Sequence, residues 1–248
     1  MSKQAKEHQV RQAHKEKLRS AKRAKRNEAP VLERDAPIRP LLRQFLIVSE
    51  GVNTEVSYFQ QFRLPNVKVV PIGTGYNTIS LVEKAIELAA EPKYAGFEVW
   101  CMFDKDSFPN ERFNEAVRLA IQHFGRVAYS NQSFEYWLIL HFEDHQGGAM
   151  DRTLYDPKIN QYLTLHKLFY DGSGSKKVSK DFFESMLVTD PKNGKSRQVN
   201  AITRAQNIFK QHTHQSPAIE ESSTTVFQLI EAINGKEDKE IEGMPWKI

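Results

Sequence analysis

The sequence is poor in cysteine and has no long apolar segments. Its single cysteine, Cys101, cannot form a disulfide within the chain. No uninterrupted apolar run approaches the ~20 residues that a membrane-spanning helix requires. The charged N-terminal residues also lack the apolar core of a secretory signal. These absences predict a cytoplasmic protein without membrane association, in which Cys101 is a buried strand residue rather than a nucleophile.

Large apolar residues are also scarce in the first 28 positions, where Val10 and Leu18 are the exceptions. This segment holds ten Lys or Arg and three Glu, a charge of +7, so the rest of a chain of net charge +4 carries −3. Such a segment cannot pack as a core element and predicts a basic arm, disordered or partly helical. Its charges either remain solvated or attract the phosphates of a nucleic acid. The candidate contacts are Lys22, Arg23, Lys25 and Arg26.

The segment beyond the arm predicts an α/β fold. Pro30, Pro37 and Pro40 indicate an extended linker. Apolar runs then predict four strands, at 45–48, 67–72, 99–103 and 127–130. Amphipathic helices are predicted between and after them: one capped by Thr54, one opened by a Ser80–Glu83 capping box, and two over 112–124 and 134–142. This alternation indicates a four-stranded, mainly parallel sheet with helices on both faces.

The pattern changes after Gly147-Gly148, where a helical extension is predicted. Its helices are expected at 166–169, 182–187, 200–211 and 225–233. The predicted organisation is therefore an arm and linker over 1–40, a sheet domain over 41–146, the extension over 147–235 and a loose charged tail over 236–248.

Carboxylates follow two of the predicted strands. Glu50 comes after the first strand, and Asp104 directly follows the third. Ligands of parallel sheets gather at the carboxyl ends of strands, and residues i and i+2 of an extended backbone point the same way. We therefore expect Glu50, Asp104 and Asp106 to converge, although such a cluster repels itself unless a cation lies within it. An all-oxygen ligand set favours Mg²⁺ or Mn²⁺, which could bind a phosphate oxygen and activate water.

Other residues are expected at the same edge of the sheet. Glu55 is either a second-metal ligand or a first-turn acid that complements the helix dipole. Glu135 is a candidate outer ligand or water-positioning base, and Asn131 is a candidate phosphate ligand. Ser133 is expected to cap the next helix. Gly51 would let the backbone turn sharply and approach a ligand.

A site that cleaves a phosphodiester also requires a cation near the transferring phosphate. The candidates are Lys176, Lys177 and Lys180 in a Gly/Ser-rich loop, and Arg204 on a helix. Lys180 is favoured as the catalytic cation, and Arg204 is also a candidate for nucleic-acid binding. For each of them a solvated surface position is the alternative.

The combination of these residues resembles the RloB family over about residues 43–235. The combination is more specific than any single motif. It consists of Glu50-Gly51-x-x-Thr54-Glu55-x-x-x-Phe59, Phe103-Asp104-x-Asp106 and Ser130-Asn131-x-x-Phe134-Glu135-x-Trp137. The family's usual Asn-Pro-Ser-Thr before the last helix is replaced here by Glu221-Ser222-Ser223-Thr224.

The resemblance implies a Toprim-like sheet domain, the fold shared by topoisomerases, bacterial primases and OLD-type nucleases. It implies that Glu50 is a metal ligand or general acid/base and that Asp104 and Asp106 bind the metal. Glu55 would match the additional acid of the OLD-type subset, which favours two metals and hydrolysis. The resemblance also implies a partner ATPase and the role of a toxic effector in bacterial anti-phage defence.

Three hypotheses follow for the function. The first is a Mg²⁺-dependent endonuclease that acts on DNA or RNA. The second is a non-catalytic adaptor in which the arm binds nucleic acid and the acids only support folding. The third, phosphoryl transfer of the primase or topoisomerase type, ranks last because the sequence offers no obvious zinc module or strand-passage domain. The sequence leaves open whether the chain forms a homo-oligomer.

Overall fold

The computed structural model describes residues 3–27, 42–145, 148–241 and 243, with side chains over 11–23 only in the first of these segments. The chain divides into two units between Pro40 and Leu41. In the first unit, helix α1 (Lys3–Asn27) contains the basic segment, and its side chains over 11–23 are exposed. The predicted arm is therefore helical where it is described. The predicted linker with its three prolines lies outside the described residues.

The second unit is built on a five-stranded sheet in the order β2-β1-β3-β4-β5. The strands are β1 (Arg43–Ser49), β2 (Val67–Gly73), β3 (Glu98–Asp104), β4 (Val127–Asn131) and β5 (Ser223–Thr224). The first four strands are parallel, and β5 pairs antiparallel with β4. The predicted α/β class with a mainly parallel sheet is confirmed, but the count of four strands is wrong. A two-residue polar strand leaves no apolar pattern, so only its pairing with β4 reveals it.

Helices cover both faces of this sheet. They are α2 (Thr54–Phe59), α3 (Thr78–Ala89), α4 (Asn110–Phe124), α5 (Glu135–Ile139), α6 (Tyr155–Leu163), α7 (Lys180–Leu187), α8 (Arg197–Phe209) and α9 (Val226–Ile233). Short 3-10 turns lie at Pro92–Tyr94, Arg152–Leu154, Thr164–His166, Pro217–Ile219 and Asp238–Glu240. Among the described residues, no helix is both long and apolar enough to cross a membrane.

The alternation of side chains along β1 creates two cores. Phe45 and Ile47 belong to one apolar cluster, whereas Leu46 and Val48 belong to the other. Helices α3 and α4 pack on the second cluster, and α2 and α5 to α9 pack on the first. The residues after 147 therefore share a core with one face of the sheet. Cys101 is fully buried in β3, as predicted.

Several helix starts differ from their prediction. Helix α2 follows Asn53, and the hydroxyl of Thr54 contacts Tyr170 instead of capping the helix. Helix α3 begins at Thr78, so Ser80 and Glu83 lie inside it and form no capping box. Local sequence favours both caps, but each helix begins at or before the predicted capping residue.

Two predictions for the C-terminal part also need correction. The expected helix at 166–169 is absent from this described stretch, and α6 forms instead at Tyr155–Leu163. The tail is not loose over its described part, because Asp238 pairs with Arg126 at 2.9 Å and Ile241 is buried. The charged residues of the tail suggested that it is solvated. In the structure, however, Arg43 and Arg126 of the sheet domain bind it.

Thr225, which directly follows the fifth strand, provides a test of the fold. The buried hydroxyl of Thr225 accepts a hydrogen bond from the backbone N–H of Tyr129 at 2.9 Å. Thr225→Val keeps the shape but leaves this donor without that acceptor, so we expect a loss of about 1–3 kcal/mol in the free energy of unfolding. Urea denaturation measures it.

The matched control is Thr203→Val, which removes an exposed hydroxyl from α8. Its expected effect is within about 0.5 kcal/mol. Equal effects of the two substitutions would contradict the contribution of the β4–β5 contact.

Candidate functional site

The site lies where the chain reverses its direction across the sheet. From β1 the chain passes through α2 to β2 on one side, and from β3 it passes through α4 to β4 on the other. The crevice at the carboxyl ends of β1 and β3 is therefore a topological switch point, where open α/β sheets bind their ligands. Glu50 follows β1, and Asp104 is the last residue of β3. The two predicted acids thus flank this crevice.

A cavity of about 380 Å³ opens at this point. All five carboxylates predicted for the site line it, together with two cations. Its lining consists of Glu50, Gly51, Val52, Asn53, Thr54, Glu55, Gly75, Asp104, Asp106, Phe134, Glu135, Arg152 and Lys176. The predicted convergence of acids from separate strands is therefore observed.

The backbone of Glu50 is held by β3 and by the loop that follows β2. Its N–H donates to the carbonyl of Met102 at 3.1 Å, and its carbonyl accepts from Gly75 N–H at 3.1 Å. These bonds fix the point from which the side chain projects. One carboxylate oxygen, Oε2, is buried and has no hydrogen-bond partner among the described residues.

Burial makes the carboxylate of Glu50 costly to ionise. The pKa of Glu50 is raised to about 7, first by burial and then by the charges of Glu55 and Asp106, against the lowering effect of Arg152. Water solvates a carboxylate better than the cavity wall does, and like charges add to that cost. Glu50 therefore exchanges a proton near neutral pH.

Glu55 is buried in the first turn of α2 and points back toward the strand end. Its Oε1 accepts from Gly51 N–H at 3.2 Å. A Cβ at Gly51 would lie 2.0 Å from Glu55 Oε2, so glycine leaves the space for this carboxylate. Gly51 was predicted to let the backbone approach a ligand. In the structure its missing side chain makes room for the carboxylate of Glu55. Burial, and then the charge of Glu135, raises the pKa of Glu55.

Asp104 and Asp106 reach the cavity by different backbone geometries. Asp104 ends β3 in extended conformation, whereas Asp106 has φ 39°, in the left-handed region. The prediction from i, i+2 extended geometry is therefore wrong for Asp106, although its side chain still lines the cavity. Between them, Lys105 is buried and donates to the carbonyl of Phe108 at 2.7 Å.

Asp104 is affected both by burial and by the clustered charge. Burial raises its pKa well above the usual range, and the charges of Glu55, Glu135 and Glu50 add to that rise. These effects come from residues on three other elements, which places their carboxylates within electrostatic reach of Asp104.

Glu135 is oriented by hydroxyl groups. Its Oε1 accepts from Tyr170 at 2.7 Å, and its Oε2 accepts from Ser133 at 2.8 Å. Thr54 Oγ1 lies 3.4 Å from the same Oε1. Ser133 therefore binds the carboxylate and does not cap α5, which corrects its prediction. Tyr170 joins the site from the C-terminal part of the chain.

The cations at the cavity are Arg152 and Lys176, among the described residues. Arg152 Nη1 forms an ion pair with Asp106 Oδ1. Lys180, the favoured candidate, does not line the cavity: its ammonium is exposed and lies 3.5 Å from Glu184 on the same helix. Proximity in sequence to Lys176 did not place Lys180 at the site, because α7 begins at residue 180 and directs its side chain elsewhere.

Asn131 and Arg204 do not line the cavity. Asn131 is fully buried and donates to the carbonyls of Pro217 and Ala218, so its predicted phosphate contact is wrong. Arg204 donates to the carbonyl of Leu140 at 2.7 Å. The arm candidates all lie on α1: Lys22 and Arg23 are exposed there, followed by Lys25 and Arg26.

The donors of the cavity fit a hard divalent cation by their chemistry. They are carboxylate oxygens, which suit Mg²⁺ or Mn²⁺, and the unpartnered Glu50 Oε2 is available to such an ion. Among the described residues, however, no three His, Cys, Asp or Glu side chains already stand in a metal-binding arrangement. Of these carboxylates, Asp106 is paired with Arg152 in this structure.

Comparison with known proteins identifies the family. A family model described as RloB-like protein matches residues 45–233. The chain belongs to the RloB-like family. The family match begins in β1 and ends at the last residue of α9, so it includes the sheet, the cavity and the helices after residue 147. No curated protein and no solved structure matches the chain.

Sequence patterns did not reveal two contributors to this RloB-like site. Arg152 follows no strand and belongs to no recognisable motif, and Tyr170 lies in a stretch predicted near a helix. Arg152 lines the cavity and Tyr170 contacts Glu135 only because the C-terminal part packs beside α5. Only the polar character of the segment around Arg152 could have suggested this residue as a contributor to the site.

The raised pKa of Glu50 predicts how stability depends on pH. Between about pH 4.5 and 7 the folded chain holds a proton that the unfolded chain has released, so unfolding is favoured as pH rises. In EDTA, we expect the free energy of unfolding to fall across this window, by at most about 1.4 kcal/mol per pH unit for this carboxyl. Urea denaturation at several pH values measures the slope.

Glu50→Gln should remove this contribution, so the wild-type curve minus the variant curve isolates it. Glu111→Gln, an exposed change on α4, controls for the loss of one negative charge. Parallel curves for wild type and Glu50→Gln would disprove the assignment.

Proposed function

We propose that this RloB-like protein is a Mg²⁺- or Mn²⁺-dependent endonuclease with a Toprim-like site. The observation that supports this function best is the meeting of Glu50 and Asp104 at the switch point, with three further carboxylates in the same cavity. Acids from independent elements crowd there at an electrostatic cost, which a divalent cation would offset.

Glu50, Glu55, Asp104 and Asp106 would hold the metal. When bound, it would polarise a phosphate oxygen and lower the pKa of a water molecule. Glu135 is kept in place by the hydroxyls of Tyr170 and Ser133, so it suits the role of positioning the attacking water. It would also accept the proton that this water loses.

The cations of the cavity complete this mechanism. Arg152 and Lys176 line the same space as the acids and would neutralise the phosphodiester as charge develops on it. Lys176 was among the predicted candidates for this role, whereas Arg152 was not, and Lys180 was the favoured one. A nucleic acid would therefore present its phosphate between an acidic and a basic side of the cavity.

The basic helix α1 would add affinity for the nucleic acid without sequence preference. Ten Lys or Arg within the first 28 residues provide charges that phosphates attract, and the described side chains of this helix are exposed. The affinity would therefore depend strongly on salt.

The cellular role that we propose is that of a cytoplasmic effector in anti-phage defence that works with a partner ATPase. Membership of the RloB-like family supports this proposal. DNA and RNA both present the phosphodiester that the cavity suits, so both belong in the substrate tests.

The alternative function is a non-catalytic adaptor that binds nucleic acid. The ion pair between Asp106 and Arg152, and the lack of a ready metal arrangement among the described residues, favour this alternative. Calorimetric titration with Mg²⁺ and Mn²⁺, with and without nucleic acid, separates the two. Binding at millimolar metal supports the nuclease, and its absence supports the adaptor.

Asp104→Asn tests the catalytic assignment. Because this residue lies among the other acids, we expect it to lower the cleavage rate at least about 100-fold in Mg²⁺ or Mn²⁺. Plasmid DNA, single-stranded DNA and transfer RNA are the substrates, assayed alone and with the partner ATPase.

The matched control is Asp181→Asn, an exposed change in the first turn of α7, which should leave the rate unchanged. Full cleavage by Asp104→Asn would show that a different site, or a contaminant, carries the activity.

The arm makes a separate prediction. Replacing Lys22, Arg23, Lys25 and Arg26 by Gln should weaken binding and reduce the slope of log affinity against log salt by up to about 4. Fluorescence anisotropy with a labelled duplex, at several salt concentrations, measures this slope. Arg112→Gln with Arg118→Gln, on the exposed side of α4, is the control. An unchanged slope would instead support a purely solvated arm.

A further inference from the structure

A second cavity, also of about 380 Å³, adjoins the acidic one. The two share Glu135, Arg152 and Lys176 in their linings. The remaining residues of the second cavity are Ser133, Thr153, Tyr155, Asp156, Gly172 and Ser173. Arg152 therefore borders both spaces, of which one is rich in carboxylates and the other in hydroxyl groups.

The two cavities differ in charge. Five carboxylates and two cations line the first, whereas the second has two carboxylates, the same two cations and four hydroxyl-bearing side chains. Two of these hydroxyls already donate to carboxylates, Ser133 to Glu135 and Thr153 to Asp151. The guanidinium of Arg152 is therefore the group best suited to bind a phosphate oxygen in this cavity. The second cavity is thus suited to a phosphate group, and the first to a cation.

The backbone of Arg152 is held by hydrogen bonds, whereas its side chain is held only through the guanidinium. Its N–H donates to Gln132 Oε1 at 3.1 Å, and the next residue, Thr153, donates twice to Asp151 Oδ1. The side chain is 42% exposed and ends in the ion pair with Asp106. A change of rotamer can therefore move the guanidinium without moving the chain.

We propose that Arg152 is an exchangeable counter-cation, which pairs with Asp106 until a divalent ion takes this carboxylate and then binds a phosphate of the nucleic acid in the second cavity. The proposal rests on the proposed metal-dependent function. The guanidinium and the metal compete for the same carboxylate, so the binding of metal and the release of Arg152 are linked. Metal loading would thereby create the phosphate site.

The exchange predicts the direction in which metal affinity changes when Arg152 is removed, and a purely structural role for Arg152 predicts the opposite direction. Removing a competing cation should strengthen metal binding, whereas removing a group that only stabilises the fold should weaken it. In the absence of nucleic acid, we expect Arg152→Gln to bind Mn²⁺ at least about fivefold more tightly, the effect of one unit charge at ~4 Å in water. Isothermal titration calorimetry measures this affinity directly.

Three further variants make the result specific. Arg152→Lys keeps the charge and should bind Mn²⁺ like the wild type. Arg112→Gln, at an exposed arginine of α4, should also leave metal affinity unchanged. In an Asp106→Asn background the competition is already gone, so Arg152→Gln should add no gain. Thermal melting in EDTA checks that each variant is folded.

The second half of the proposal is tested with short DNA and RNA oligonucleotides, whose affinity is measured in Ca²⁺ and in EDTA. Arg152→Gln should weaken binding severalfold in Ca²⁺, when the guanidinium would contact phosphate, and much less in EDTA, when it is paired with Asp106. Equal weakening in both conditions would overturn the exchange.

The outcomes separate the two proposals. If wild type binds Mn²⁺ and Arg152→Gln binds it equally or more weakly, the exchange is wrong and the metal site stands. If neither wild type nor Arg152→Gln nor Arg152→Lys binds Mn²⁺ at millimolar concentration, the metal-dependent function and the exchange are both overturned. Tighter binding by Arg152→Gln alone supports both.

Discussion

Electrostatic repulsion among buried and partly buried carboxylates is the constraint on which the site depends. The fold fixes the starting points of three of these acids. Glu50 is held by backbone bonds to β3 and to the loop after β2, Asp104 ends β3, and Glu55 lies in the first turn of α2. None of these positions can relax without disturbing the sheet or its first crossover. The cost appears instead as raised pKa values, so the cavity retains protons or attracts cations.

The C-terminal part of the chain moderates this repulsion. It supplies Arg152 and Lys176 as counter-charges and Tyr170 as a hydrogen-bond donor to Glu135. Its helices share a core with one sheet face, which holds these groups against the switch point. The sheet therefore provides the acids, and the part that follows provides the groups that compensate them. The proposed nuclease site and the proposed phosphate site would then lie side by side, with Arg152 lining both cavities.

Much of the fold was predictable because buried parallel strands leave continuous apolar runs. The four long strands and the helices that cross between them match their predicted order, and Glu50 and Asp104 followed directly from it. The prediction for Asp106 assumed extended backbone and was wrong in geometry, because its φ of 39° depends on the loop that follows β3. Asn131 was misassigned because a polar residue at a strand end can equally bind backbone carbonyls, as it does with Pro217 and Ala218.

The sequence alone determined the parallel sheet, the acids at its strand ends and the basic segment that precedes it, because these features are local patterns of polarity. Tertiary structure alone decided the rest. The β4–β5 pairing and the Tyr170–Glu135 hydrogen bond join residues that lie 35 to 94 positions apart in the sequence. The position of Lys180 outside the cavity depends on the direction in which its helix faces. No local pattern encodes such contacts, since they exist only after the C-terminal helices have packed against the sheet.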